Sequence, residues 1–146
     1  MKTEENSFGL DMLRKAVEQG GEVGPMMKTL GQKIVSVAPG EVTVEGTPDH
    51  QHENIMGRIH GGFLAALIDT AMGASVATKL PPGTGFGTVD LAVKFVRRFE
   101  VATGPVYATA QVLHAGRTMF TVECKVADKS GLLYAHGQGT FLVYPK

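Results

Sequence analysis

The sequence predicts an α+β fold in which an antiparallel sheet of about six strands wraps around one long buried helix. Two observations predict it. The segment from Gly61 to Thr78 is apolar on nearly every side, which is typical of a helix that is buried on most of its surface. Six other segments alternate apolar and polar residues, which indicates strands with one buried face. Such a helix and sheet can bury each other only if the sheet curls around the helix.

The first part of the chain is predicted to form helices and a hairpin. Helical spacing of apolar residues predicts a helix over Phe8 to Gln19, and a short helical turn is expected around Pro25 to Leu30. Alternating residues from Lys33 to Ala38 and from Glu41 to Thr47 flank Pro39-Gly40, which predicts a β-hairpin. A polar stretch without periodicity then leads into the apolar helix.

Four more strands are predicted after this helix, arranged as an antiparallel meander. They cover Thr88 to Phe99, Pro105 to Leu113, Thr118 to Ala127 and Leu132 to Tyr144, with turn residues between them. In the first of these strands, alternation places Val89, Leu91, Val93 and Phe95 on one face and Asp90, Lys94 and Arg98 on the other.

Length and charge exclude several classes of protein. The 146 residues suit a single domain over 1–146, with 1–30 as an N-terminal helical extension. Fourteen basic residues balance fourteen acidic ones, which argues against a nucleic-acid binder and a polybasic membrane-surface protein. The opening MKTEENS lacks the apolar region of a signal peptide, and no run approaches the roughly 18 apolar residues of a membrane span. We therefore expect a cytoplasmic protein.

The single cysteine and the histidine pair do not suggest a metal site. Cys124 has no partner for a disulfide or a cysteine zinc site, and its alternation with apolar neighbours predicts a core position. His50 and His52 have the spacing of a metal pair, but no third ligand follows at a suitable distance. A solvated polar loop is the favoured interpretation, and no metal is predicted.

Asp69 is the main candidate for a catalytic group. It is the only ionisable side chain between Gly61 and Thr78. Burying an unpaired carboxylate costs several kcal/mol, unless it is hydrogen-bonded or its pKa rises. A carboxylate in this setting is a candidate general base or nucleophile. The alternative is that Asp69 lies on a thin solvent-facing stripe or makes a structural hydrogen bond.

The residues His60-Gly61-Gly62 stand where the apolar helix begins. The first N–H groups of a helix lack internal partners and carry a partial positive charge. Two glycines allow a substrate to approach the backbone, so these N–H groups are candidates for binding an oxygen that becomes negative during acyl transfer. The alternative is an ordinary loop-to-helix junction.

The combined motif resembles one family. The chain reads NIMGRIHGGFLAALIDTAMG from Asn54 to Gly73, and then carries Gly87-Thr88-Val89-Asp90 and Arg97-Arg98. Over roughly residues 31–144 it resembles the hotdog-fold acyl-CoA thioesterases of the phenylacetic-acid-degradation (PaaI-like) group. The hotdog fold is an antiparallel sheet around one long helix, so the resemblance agrees with the fold class predicted above.

The resemblance implies a role for each matching residue. It implies that Asp69 activates water or attacks the thioester, and that Asn54 orients the nucleophile or the substrate. The Gly61 N–H would bind the thioester oxygen. His60 would support the asparagine and its loop, and Thr88 would help to position the water.

The resemblance also implies a role for basic residues. The basic side chains are sparse, and a solvated face is the ordinary interpretation of them. In the family, however, basic residues beyond the third strand and in the following turns bind the phosphates of coenzyme A. Arg97 and Arg117 are the expected contacts. Arg58 departs from the family's loop, which is often short and glycine-rich, and the resemblance assigns it no role.

The function implied is hydrolysis of an aryl- or medium-chain acyl-CoA, with no cofactor because coenzyme A is part of the substrate. Two alternatives remain at this point. A hotdog-fold hydratase or dehydratase is one, although the sequence lacks the dehydratase His-Phe-Pro-Gly loop. A non-catalytic acyl-CoA sensor is the other, although it would be expected to lose the carboxylate that Asp69 supplies.

The spacing of the two catalytic candidates predicts a shared site. Gly61 and Asp69 are eight residues apart, about 12 Å along one helix. A base and an oxyanion donor that serve one carbonyl should each lie about 3 Å from the reacting atoms. Two subunits with antiparallel helices would bring Asp69 of one near Asn54 and Gly61 of the other. The resemblance likewise implies a homodimer or homotetramer with shared sites.

Overall fold

The computed structural model describes residues 7–146, and the first six residues, which belong to the segment without a signal-peptide pattern, lie outside them. Three helices and six strands form the fold, in the order α1 (Phe8–Glu18), α2 (Pro25–Thr29), β1 (Gln32–Ala38), β2 (Glu41–Gly46), α3 (Gly61–Ala77), β3 (Thr84–Phe95), β4 (Val106–Ala115), β5 (Met119–Ala127) and β6 (Leu133–Pro145). Every predicted helix and strand is present. The largest difference is in β3, which begins and ends four residues earlier than predicted.

The six strands form one antiparallel sheet, in the order β1-β2-β4-β5-β6-β3, and α3 packs on its inner face. Leu67, Ile68, Ala71, Met72 and Val76 of this helix are completely buried. The core therefore lies between α3 and the curled sheet. This is the hotdog fold, and the predicted fold class is confirmed.

Glycines on the inner face of the sheet allow the helix to lie close to it. A Cβ at Gly139 would stand 2.8 Å from Cε of Met72, and a Cβ at Gly46 would stand 2.8 Å from Cδ2 of Leu67. Real Cβ atoms do not approach other atoms so closely. A side chain at either position would therefore force the end of the Met72 or Leu67 side chain to move.

The predicted meander is wrong in one pairing. β3 pairs with β6 at the edge of the sheet, while β4 lies between β2 and β5. Short turns join β4 to β5 and β5 to β6, so these neighbours in sequence are also neighbours in the sheet. The segment 96–105 between β3 and β4 is longer and contains the 3₁₀ turn Val101–Thr103. This length allows the chain to leave the edge strand and enter the middle of the sheet.

A bulge in β3 also changes the predicted faces. Thr88 pairs with Phe141 and Asp90 with Thr140, so Val89 is the extra residue between two regular pairs. As the bulged residue, Val89 does not belong to the inner row, in contrast to the prediction from alternation, and it is 57% exposed. The bulge instead places Thr88 on the inner face with Leu91, because one extra residue reverses the alternation.

One stripe of α3 is less buried than its composition predicts. Asp69 is only half-buried, as are the small residues around it, Ala65, Ala66, Thr70, Gly73 and Ala74. A single sheet covers only one side of a helix, so this stripe faces away from the core.

No helix among residues 7–146, α3 included, is long and apolar enough to cross a membrane.

Candidate active site

The first turn of α3 leaves one backbone donor available. His60 is the N-cap, and its Nδ1 accepts a hydrogen bond from the Gly62 N–H at 2.8 Å. The Phe63 N–H donates to the His60 carbonyl at 2.9 Å. Among residues 7–146 no acceptor is recorded for the Gly61 N–H. Gly61 therefore presents the free N–H at the positive end of the helix, whereas the Gly62 N–H is engaged by His60.

Asn54 closes the loop that precedes α3. Its Oδ1 accepts hydrogen bonds from the Met56 N–H at 2.9 Å and from the Arg58 N–H at 3.2 Å. Its own N–H donates to the Arg58 carbonyl at 2.7 Å. The side-chain oxygen is thus used within the loop, and the Nδ2 amide has no recorded acceptor in the described part of the chain. Ile55, at the tip of this loop, is fully exposed.

His52 and His60 tie this loop to the rest of the chain. The His60 N–H donates to the His52 carbonyl at 2.9 Å, and the His52 ring packs on Phe63 with 4.7 Å between ring centroids. His50 pairs with Glu53. These contacts give the two loop histidines structural partners, and no group of three metal-ligating side chains is found over residues 7–146. His60 supports the loop through its backbone, and no hydrogen bond from it to Asn54 is recorded among the described residues.

Asp69 is held by Thr88. The Thr88 Oγ1 donates a hydrogen bond to Oδ1 of Asp69 at 2.8 Å. This contact joins the middle of α3 to the edge strand β3, and it depends on the bulge at Val89 that turns Thr88 inward. The carboxylate is therefore oriented and still accessible, since Asp69 is half-buried.

Replacing Thr88 by valine is expected to lower kcat roughly tenfold, because hydrogen bonds to a charged group contribute about 1.5–3 kcal/mol and this one orients the Asp69 carboxylate. Steady-state kinetics measures the effect. Thr88→Ser keeps the hydroxyl and should stay close to the wild-type rate. A valine variant as active as the serine variant would show that the hydrogen bond has no part in turnover.

One chain does not bring all the predicted site residues together. Thr88 lies beside Asp69, whereas Phe95, seven residues further along β3, lies beside Gly61. Strand β3 thus runs antiparallel to α3. The carboxylate and the free N–H are separated by about 12 Å along the helix axis.

The two predicted phosphate-binding arginines lie at opposite ends of β3. Arg97 is the second residue after its last one, and its Nε donates to the Leu133 carbonyl at 3.2 Å. Arg117 is exposed in the β4–β5 turn and lines one cavity together with Thr84, the first residue of β3. A strand of this length spans about 40 Å. A single chain therefore cannot offer both arginines to one phosphate group.

A cavity of about 1000 Å³ opens at the C-terminal end of α3. Its walls are largely apolar and include Phe120, Val143 and Tyr144. Two basic residues, Lys79 and Arg117, also line it. This cavity was not predictable from local patterns, because its residues come from four separate segments. The one local signal was Pro81-Pro82-Gly83, which marks only the end of the helix.

Cys124 is a core residue, as predicted. It is 1% exposed, and burial raises the pKa of its thiol to about 12. A thiol in this state does not supply the thiolate that nucleophilic catalysis needs. Cys124 is therefore not a candidate nucleophile.

Comparisons with known proteins show which family the chain belongs to. The family described as the Thioesterase superfamily matches residues 56–135, more than half of the chain. A Caenorhabditis elegans protein named for esterase activity is 36% identical over 117 residues, covering 76% of this chain and 65% of that protein. This chain thus spans just under two thirds of that relative. Human acyl-coenzyme A thioesterase 13 is 28% identical over 132 residues, covering 88% and 91% of the two chains.

Solved structures show the same architecture. A variant of the phenylacetic acid degradation protein PaaI from Thermus thermophilus superposes with a TM-score of 0.74 at 31% identity. The match covers 82% of this chain and 98% of that one. Its fold is similar over nearly the whole of its length.

Proposed function

This chain belongs to the thioesterase superfamily, and on that basis we propose that it hydrolyses the thioester of an aryl- or medium-chain acyl-CoA to the free acid and coenzyme A. The observation that carries the proposal is the Asp69 carboxylate. It is held by Thr88 at 2.8 Å, half-buried, on a helix with no other ionisable side chain. The likeness to acyl-CoA thioesterase 13 and PaaI supports the substrate class.

The proposed chemistry uses water and the groups already described. With Asp69 as general base, the carboxylate takes a proton from water as the water oxygen attacks the thioester carbon. With Asp69 as nucleophile, its oxygen attacks first, and water then hydrolyses the mixed anhydride. In both routes the carbonyl oxygen becomes negative beside the Gly61 N–H, and the carbon–sulfur bond breaks to release the coenzyme A thiol. The Asn54 amide is proposed to orient the substrate.

We propose that two subunits share each site, in a homodimer or in a homotetramer built from such dimers. The edge strand β3 has an unpaired side and exposes Val89, and the half-exposed stripe of α3 lies next to this strand. Antiparallel packing of two α3 helices would place Asp69 opposite the partner subunit's Gly61 and Asn54. The carboxylate and the N–H that serve one substrate would then come from different subunits. Their separation of about 12 Å within one chain would no longer prevent them from acting on the same carbonyl group.

The same packing would bring the two arginines together. Because the two-fold axis that makes the α3 helices antiparallel also makes the two β3 strands antiparallel, the end of the partner's strand would lie beside the start of this one. Arg117 and the partner subunit's Arg97 would then flank the cavity at the C-terminal end of α3. We propose that the phosphates of coenzyme A bind there, where cations border an apolar wall.

The direct test is a thiol-release assay with purified protein and a panel of phenylacetyl-, benzoyl-, butyryl-, octanoyl- and palmitoyl-CoA. Free coenzyme A from at least one of them, with kcat/KM above about 10⁴ M⁻¹ s⁻¹ for the preferred substrate, is the expected result. Loss of enoyl absorbance from an enoyl-CoA without thiol would favour the hydratase. Tight binding without either reaction would favour a sensor.

Mixed dimers provide a test of the shared site. Inactive Asp69→Ala chains refolded with an equal amount of inactive Asn54→Ala chains should recover about a quarter of the wild-type sites, because about half of the dimers are mixed and each holds one intact site. The measurement is thiol release after mass spectrometry has confirmed subunit exchange. Sites built within one chain would give no recovery.

A further inference from the structure

Phe95 lies against the residue that offers the free N–H. A Cβ built on Gly61 would stand 3.2 Å from Cζ of Phe95, and 3.5 and 3.6 Å from its Cε1 and Cε2. The outer edge of the phenyl ring therefore occupies the space next to Gly61. Phe95 reaches this place because it is the last residue of β3 and lies on the inner face, paired with Ala135.

The exposure of this ring distinguishes it from the other aromatic residues at this end of the sheet. Phe63 and Phe99 are 4% exposed and belong to the core, while Phe95 is 53% exposed. Phe95 is therefore not part of the hydrophobic core. The ring lies against Gly61, whose N–H has no recorded acceptor within residues 7–146.

We propose that Phe95 is a positioning residue that shields the Gly61 N–H from water and so keeps this donor available for the carbonyl oxygen of the substrate. The proposal rests on the proposed function. A hydrogen bond to a developing negative charge is stronger where water is excluded, because the local dielectric constant is lower. Phe95 and Gly61 belong to the same chain, so their contact does not depend on how subunits assemble.

The first experiment measures the N–H itself. Amide hydrogen exchange of Gly61, followed by NMR as a protection factor, should be at least about threefold faster in Phe95→Ala than in the wild type. Phe95→Tyr keeps the ring and should retain the protection. Phe8→Ala, which removes a phenyl group of similar exposure from α1, is the matched control and should leave Gly61 unchanged.

The second experiment measures turnover of the preferred acyl-CoA. Phe95→Ala should lower kcat about tenfold, a part of the roughly 10²–10³ that a complete oxyanion donor supplies, with a much smaller change in KM. Phe95→Tyr should restore most of kcat. Size-exclusion chromatography and thermal unfolding verify that assembly and fold are retained in each variant.

A double-mutant cycle links the two residues. Gly61→Ala adds a methyl group that meets the ring, so it should displace Phe95 and lower kcat in the wild-type background. In the Phe95→Ala background the space is empty, and the same change should have a smaller effect. The two substitutions are therefore expected to be non-additive.

Four results would overturn the proposal. They are unchanged Gly61 protection in Phe95→Ala, additivity in the cycle, a KM effect without a kcat effect, and a loss of activity that follows subunit dissociation. Failure of the proposed function is a separate result, since it means that the wild type releases no thiol from any acyl-CoA. The exchange measurement would still decide whether Phe95 shields the N–H.

Discussion

Replacing Asp69 by asparagine is expected to lower kcat at least about a hundredfold, which is the scale of losing a general base. Asparagine has nearly the same shape and can still accept the hydrogen bond from Thr88. The fold and the assembly should therefore survive, while the group that takes a proton or attacks the thioester is lost. Steady-state thiol release measures kcat, and circular dichroism with size-exclusion chromatography verifies the structure.

The matched control for this variant is Asp90→Asn. Asp90 is another aspartate of the same region, but it lies on the outer face of β3, where its Oδ1 accepts a hydrogen bond from the Thr140 N–H at 3.1 Å. Asparagine can keep this bond, and turnover should stay near the wild-type value. Retention of more than a tenth of kcat in Asp69→Asn would show that the carboxylate is not the catalytic group.

Replacing Gly61 by proline should cost roughly 10²–10³ in kcat, because it deletes the N–H that the first helical turn leaves free. Proline is tolerated at the first position of a helix, and His60 has ψ of 137°, a conformation that suits the residue before a proline. We therefore expect only a modest decrease in Tm. The kinetic loss should be seen in kcat rather than in KM.

Gly61→Ala separates the two changes that proline introduces. Both substitutions add a Cβ that meets Phe95, but alanine keeps the N–H. The ratio of kcat between the alanine and proline variants therefore reports the donor alone, and it should be at least about tenfold in favour of alanine. Equal rates for the two variants, or normal turnover in a folded proline variant, would mean that the oxygen is held elsewhere.

The secondary structure was largely predictable because it depends on local patterns. Apolar residues on all sides of α3, alternation in the strands and turn residues between them are properties of neighbouring residues, and each predicted element is present. The motif from Asn54 to Asp69 is equally local, so the candidate residues could be selected before their geometry was known. Their catalytic roles stay predictions until the variants are measured.

The pairing of β3 was not predictable from such patterns. Alternation shows that a strand has one buried face, but it does not select the neighbouring strand. The meander was the simplest choice, and it was wrong for β3 because the connection 96–105 is long enough to reach the middle of the sheet. The edge position of β3, on which the proposed subunit contact depends, became apparent only in the structure.

The sequence by itself determined the fold class, the central helix and the isolated carboxylate of Asp69. Only the tertiary structure decided which side chains meet that helix. One extra residue at Val89 turns Thr88 toward Asp69, and the antiparallel course of β3 along α3 places Phe95 against Gly61. A one-residue change of register exchanges the faces of a strand, and long-range packing, not local propensity, selects the register. The local pattern therefore identified the candidate reactive residue, whereas its surroundings depend on contacts between distant segments.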